Sequence, residues 1–149
     1  MQNPLIFFVP SNRTDKNGKP THVDGTNEII KANRTNKYVG AKQERENVAL
    51  VRDYCVSAMY RHHWQPLEVK ARVYVLFVEV NARRDVSNIY GGLKWVLDGL
   101  TRPRGGKDGA GAIVDDSQKW VEVIPSVGVD KEHPGVWIRI EPYEEEGTG

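Results

Sequence analysis

The run Val73-Tyr-Val-Leu-Phe-Val78 constrains the fold more than any other stretch of this chain. It is β-branched and aromatic, and it is apolar at both parities. A strand that alternates apolar and polar residues can leave one face in water, but this one needs cover on both. The segment 69–80 is therefore expected to be a central strand, with helices packed on the sheet around it.

The remaining elements fall on either side of it. Residues 4–9 (Pro-Leu-Ile-Phe-Phe-Val) read as a first strand bounded by prolines. Residues 11–40 are polar and rich in Asn, Lys, Gly and Thr, and read as a long loop. Over 41–63, Val48, Val51, Cys55, Ala58 and His62 recur at helical spacing, and Pro66 prevents continuation. A second helix is expected over about 87–100, with Ile89, Leu93, Val96 and Leu100 on one side. Gly105, Gly106, Gly109 and Gly111 make 102–112 a basic, glycine-rich loop. Residues 118–125 and 136–141 read as two strands of an antiparallel hairpin turning at Gly128 and Pro134-Gly135. The acidic end, 142–149, reads as frayed. The order strand, helix, strand, helix, strand, strand predicts an α+β fold. One mixed sheet of about four strands carries two main helices, in a single domain over 1–149.

Composition narrows the function classes. Cys55 is the only cysteine, so neither an internal disulfide nor a cysteine-based zinc site is available. No stretch approaches the ~20 apolar residues of a membrane span, and the start has no basic leader region, so a cytoplasmic protein is expected. Net charge is only +1, but it is unevenly spread. Residues 141–149 hold Glu141, Glu144, Glu145 and Glu146 and no cation. From 83 to 107, the cations Arg83, Arg84, Lys94, Arg102, Arg104 and Lys107 face only Asp85 and Asp98. A basic stretch interrupted by a few carboxylates suits a polyanion whose phosphates meet a metal.

Two places put carboxylates at the ends of regular elements, where a side chain is held rigidly. Asp85 follows the central strand and precedes a helix; Asp115 and Asp116 lie between the glycine-rich loop and the next strand. Hydrolysis of a phosphodiester needs an activated water and stabilisation of the leaving oxygen. Mg²⁺ bound by carboxylates supplies both. The same residues also have an ordinary structural reading, since Asp85 or Ser87 makes a good helix N-cap and Asp-Asp is common turn chemistry. Lys94 shares a helix stripe with Ser87, Gly91 and Asp98 and is placed to neutralise a phosphate, or simply to pair with Asp98. Gly91 and Gly92 inside the helix imply a close approach, by DNA or by a packed element. Arg102, Arg104 and Lys107, with Arg83, Arg84 and Lys119, are the candidate DNA-binding cations. The Gly-Lys pair at 106–107 is not followed by Ser or Thr, so a nucleotide-binding P-loop is excluded and no nucleotide cofactor is expected. The adjacent His62 and His63 point in different directions on a helix and read as structural. Trp95, Trp120 and Trp137 read as core cover.

Together these residues resemble the RusA-like family of Holliday-junction resolvases. The match runs through Arg84-Asp85-Val-Ser87-Asn88, Lys94, Leu97-Asp98-Gly-Leu100, and Val114-Asp115-Asp116-Ser-Gln118, with Val9-Pro-Ser-Asn12 near the start. The resemblance implies a homodimeric endonuclease dependent on Mg²⁺, with Mn²⁺ as a substitute, that nicks two strands of a four-way DNA junction in recombination and repair. It carries over Asp85 and Asp116 as metal ligands, Lys94 as catalytic cation and Asp115 as an adjoining catalytic carboxylate. Two departures matter. Ser87 stands where the family has a second aspartate, so as a ligand it brings no charge, which leaves branched-DNA binding with weakened cleavage as the alternative. The spacing from Asp85 to Lys94 is also longer than in familiar members.

Overall fold

The computed structural model describes residues 2–145; the acidic end expected to fray lies partly outside them. The elements are β1 (Leu5–Pro10), α1 (Thr26–Thr35), α2 (Lys37–Arg61), β2 (Ala71–Glu79), α3 (Val86–Tyr90), α4 (Leu93–Leu100), β3 (Val121–Val129) and β4 (Gly135–Pro142). The fold is α+β, with one mixed sheet of four strands in the order β1-β4-β2-β3.

The apolar run forms a central strand, as expected. β2 pairs parallel with β3, Ala71 opposite Val121 and Glu79 opposite Val129, and antiparallel with β4. Four strands alternate so that one face is inward: Leu5, Phe7 and Val9; Val136, Ile138 and Ile140; Ala71, Val73, Val75 and Phe77; and Val121. Against this face pack Val51, Cys55 and Ala58 of α2 and Trp95, Val96 and Leu100 of α4. Burial pushes the Cys55 thiol up to about 12, so it behaves as a small apolar residue.

The last two strands do not form a hairpin. β4 enters the sheet between β1 and β2, and β3 takes the far edge. Residue chemistry explains the choice. β4 brings Val136, Ile138 and Ile140, all buried, to the middle of the core. β3 contains Pro125, which lacks the N–H that a central strand needs on both sides, and its upper half leaves Val127 and Val129 exposed. Gly128, expected in the turn, belongs to β3.

The segment 11–40 is not one loop. It contains all of α1 and the first turn of α2. The Glu28 carboxylate accepts the Gly25 backbone N–H at 2.8 Å, and the Asn36 side chain caps α2 by accepting from the Tyr38 N–H at 2.7 Å. In α1 only Ala32 is buried, so the helix carries almost no apolar stripe by which to be recognised. The helix expected over 87–100 is broken at Gly91 and Gly92 into α3 and α4. A Cβ on Gly91 would lie 1.9 Å from Thr26 Oγ1, and one on Gly92 3.0 Å from the Asp24 carbonyl oxygen and from the Phe77 ring. Gly91 makes room for Thr26 at the start of α1, and Gly92 for the Asp24 carbonyl and the Phe77 ring.

Among the described residues, no helix covers the outer sheet face, where Ile6, Ile124 and Trp137 are exposed. Across it, in register, run Phe8, Trp137, Leu76 and Ser126, then Ile6, Arg139, Tyr74 and Ile124. Trp137 is 46% exposed and packs on Phe8 at 5.0 Å between ring centroids, so it covers no core. Among the described residues no helix is long and apolar enough to cross a membrane.

Candidate functional site

The connection β2–α3–α4–β3 returns the chain to a parallel strand, and this fixes where the acidic residues lie. Asp85 follows the C-terminal end of β2. Asp115 and Asp116 precede the N-terminal end of β3. Since Ala71 pairs with Val121 and Glu79 with Val129, these two ends are opposite ends of the sheet. Eight steps of strand at about 3.3 Å separate them by roughly 26 Å.

At the first end, Asp85 occupies the N-cap position of α3 with extended backbone, yet its carboxylate makes no capping hydrogen bond. Among the described residues neither a hydrogen bond nor an ion pair engages that side chain, and it is exposed, as are Arg83 and Ser87 beside it. The neighbouring Arg84 is different. Its guanidinium donates to both carboxylate oxygens of Glu79, at 2.8 and 3.0 Å, to the Val23 carbonyl at 3.0 Å, and to Glu28. Expected as a DNA-binding cation, Arg84 has its guanidinium engaged with Glu79, Glu28 and Val23 within the fold. A buried carboxylate needs a partner, and Glu79 is only 2% exposed. Asn88 is buried too, and its side chain accepts the Asn27 N–H at 2.7 Å, tying α1 to α3.

A second network lies beside this end. Asp24 is buried and accepts from Arg13 (2.9 Å), Gln43 (2.7 Å) and Asn47 (2.9 Å). Burial pushes the Asp24 pKa up, but the bonds from Asn47, Gln43 and Arg13 outweigh it and hold the carboxyl below its usual value. Its backbone carbonyl accepts from the Trp95 indole at 3.0 Å.

At the opposite end, Asp115 accepts the Asp116 backbone N–H at 2.9 Å, and Arg104 stands 3.7 Å away. That backbone N–H, helped by Arg104, holds the Asp115 carboxyl below the ordinary range. Asp116 is exposed. Arg102 pairs with Glu68 at 2.5 Å, and Lys119 lies 5.3 Å from the Trp120 ring. The acid pair and most of the candidate phosphate-binding cations therefore share this end.

Lys94 belongs to neither group. It turns toward α2, 3.8 Å from Glu44 and 3.6 Å from Asp98. Asp98 is buried and also accepts from Lys107 at 3.2 Å, which tethers the glycine-rich loop to α4. Glu44, Asp98 and Lys107 line part of a cleft of about 420 Å³ with Arg45, Val48 and Arg52. Among the described residues the ion-pair partners of Lys94 are Glu44 and Asp98, and Asp85 is not one of them.

One protomer thus brings Asp115 and Asp116 together but not Asp85 with them, and among the described residues no group of three or more His, Cys, Asp or Glu could hold a metal ion. Within a single chain the residues do not fit the shared ion that the resemblance implies. Sequence reasoning missed Glu79, Glu28, Asp24 and Arg13. Glu79 was findable, because it continues the inward parity of Val73, Val75 and Phe77.

Comparison with known protein families, with curated proteins and with solved structures gives no match for this chain.

Proposed function

We propose that the chain acts on four-way DNA junctions as a homodimer, in the cytoplasm, and nicks them as a Mg²⁺-dependent endonuclease of the junction-resolving type. The observation that carries the reading is the state of Asp85. A helix N-cap aspartate ordinarily accepts from the N–H groups of the first turn. This one occupies the position without making the bond, so the capping role open to it is not taken up and its carboxylate stands exposed. The motif resemblance over 84–118 supplies the reaction class. The exposed cations Arg83, Arg104, Lys107 and Lys119 supply contacts for phosphates without base readout.

A second reading, branched-DNA binding with weak or lost cleavage, is favoured by Ser87, a neutral side chain where the family carries an aspartate. One experiment separates the two. A labelled four-way junction is incubated with the protein, with and without Mg²⁺, beside a linear duplex of the same sequence. Paired nicks that need Mg²⁺ support the nuclease. A stable junction complex with intact strands at every Mg²⁺ concentration supports the binding module. Equal affinity for linear duplex and junction refutes both.

A further inference from the structure

We propose that the cleft between α2, α4 and the glycine-rich loop holds an unpaired guanine nucleotide, with the Asp98 carboxylate reading the base. The proposal does not rest on the nicking reading, since it uses none of Asp85, Asp115 and Asp116. It starts from the three carboxylates that are buried among the described residues. Asp24 accepts from the side chains of Arg13, Gln43 and Asn47. Glu79 is gripped through both oxygens by Arg84. Asp98, 2% exposed, is held less completely. One oxygen accepts from Lys107 at 3.2 Å, and the other stands 3.6 Å from Lys94, beyond hydrogen-bond distance. Both lysines sit at the surface, their side chains 49% and 65% exposed. A carboxylate has about four acceptor positions, so Asp98 keeps acceptor capacity at a buried place, where unfilled capacity is costly.

Asp98 lines the cleft of about 420 Å³, a volume in the range of small-molecule sites. Val48 and Ala49 give the cleft apolar surface for a flat ring. Arg45 lines it too, exposed, and among the described residues neither a hydrogen bond nor an ion pair engages its guanidinium. Charge then selects the ligand. A cation, such as an arginine side chain of a peptide, would meet Arg45, Arg52 and Lys107; a bare anion would meet Glu44 and Asp98. The fit is a molecule that separates the two functions: an anionic phosphate for Arg45, and neutral donors on a planar ring for Asp98. Guanine presents two adjacent donors, N1–H and N2–H, on its pairing edge, matched to the two oxygens of one carboxylate. Adenine and cytosine set a single amino group there beside an acceptor that a carboxylate repels, and thymine sets one N–H between two carbonyls. The pairing edge is open only in an unpaired base. A strand with an unpaired guanine and a free guanine nucleotide both carry this chemistry.

The test titrates the full chain with dGMP, dAMP, dCMP, dTMP and inorganic phosphate by calorimetry. Fluorescence anisotropy follows a labelled oligo-dT strand carrying one dG, deoxyinosine or dA. We expect guanine to be preferred over adenine by at least about tenfold, with deoxyinosine, which lacks the amino group, between them. Asp98→Asn should abolish the preference. Arg45→Ala should weaken guanine binding and leave the preference in place. If Asp98→Asn does not fold, Ala41→Trp replaces it: Ala41 is exposed and lines the cleft, so the indole should block guanine binding without touching the core. Binding of the dG strand but not dGMP assigns the cleft to DNA, and the reverse assigns it to a free nucleotide; either supports the site. Equal binding of all four nucleotides, phosphate binding as tight as dGMP, guanine binding that survives Asp98→Asn or Ala41→Trp, or no binding overturns it. A junction that stays uncut bears on the nicking reading and leaves this cleft untouched.

Discussion

Arg84 grips both oxygens of Glu79, at 2.8 and 3.0 Å, where β2 ends, and the glutamate it holds is 2% exposed. The pair joins three parts of the molecule, because the same guanidinium reaches the Val23 carbonyl and Glu28 of α1. Arg84→Ala would leave a buried carboxylate without its cation, a change that costs about 3–5 kcal/mol. Urea unfolding should show that loss. Arg84→Lys should recover only part of it, since an ammonium cannot make the two-pronged contact. A loss under about 1 kcal/mol for Arg84→Ala would refute the structural role.

Asp24 makes acid stability a readable property of the same end of the sheet. Its folded pKa lies below the ordinary 3.8, through the bonds from Asn47, Gln43 and Arg13 acting against burial. A depressed carboxylate stabilises the fold fully above the unfolded value, and the contribution fades as pH falls through the folded one. The stability gap between the wild-type protein and Asp24→Asn should therefore be constant from neutral pH down to about 4 and shrink below it. A gap that does not change with pH between about 6 and 2.5 would show that the Asp24 charge contributes nothing to folding.

Gly91, at the end of α3, abuts Thr26 at the start of α1. A Cβ there would meet Thr26 Oγ1 at 1.9 Å and the Thr26 nitrogen at 2.6 Å, and the nitrogen is backbone that cannot rotate away. Gly91→Ala should destabilise the protein by about 1–3 kcal/mol, the usual range for overpacking. Gly106→Ala offers a contrast. Its Cβ would meet nothing within 4 Å, and only its φ of +83° is unfavourable. Junction affinity, measured where Gly91→Ala remains folded, should equal wild type, because the glycine admits a helix and not DNA.

Much of this architecture was legible in the residues, and the failures have physical causes. Val73–Val78 announced a central strand because both parities were apolar. Its flanking partners were misread because proximity in sequence favoured a hairpin, whereas Pro125 forces β3 to an edge and the three buried side chains of β4 draw it to the middle. α1 escaped notice because one buried alanine makes no stripe. The carboxylates of the candidate site were legible as residues, but their placement was not. Whether two segments meet depends on strand direction: a parallel β2–β3 pair sends Asp85 and Asp116 to opposite ends, where an antiparallel pair joined by a short turn would have brought them together. The inward parity of Glu79 was the one sign in the sequence that Arg84 would be needed inside.

The exposed cations give the DNA reading its own test, independent of metal. Arg83 is exposed and beside Asp85; Arg104 is 79% exposed and beside Asp115. If both meet phosphates, each displaces condensed counterions when the protein binds. The logarithm of the junction association constant should then fall with the logarithm of salt concentration, and each of Arg83→Ala and Arg104→Ala should flatten that slope by about 0.7–0.9. Arg84→Lys should leave the slope unchanged, because its guanidinium faces Glu79 and Glu28. The two arginines also stand at opposite ends of the sheet, so a duplex arm touching only one end would respond to only one variant. Equal flattening by both means that the bound DNA spans the two ends, either along one protomer or across a dimer. Fluorescence anisotropy over a salt series measures these slopes, and a slope that neither arginine changes would remove these two residues from the DNA interface.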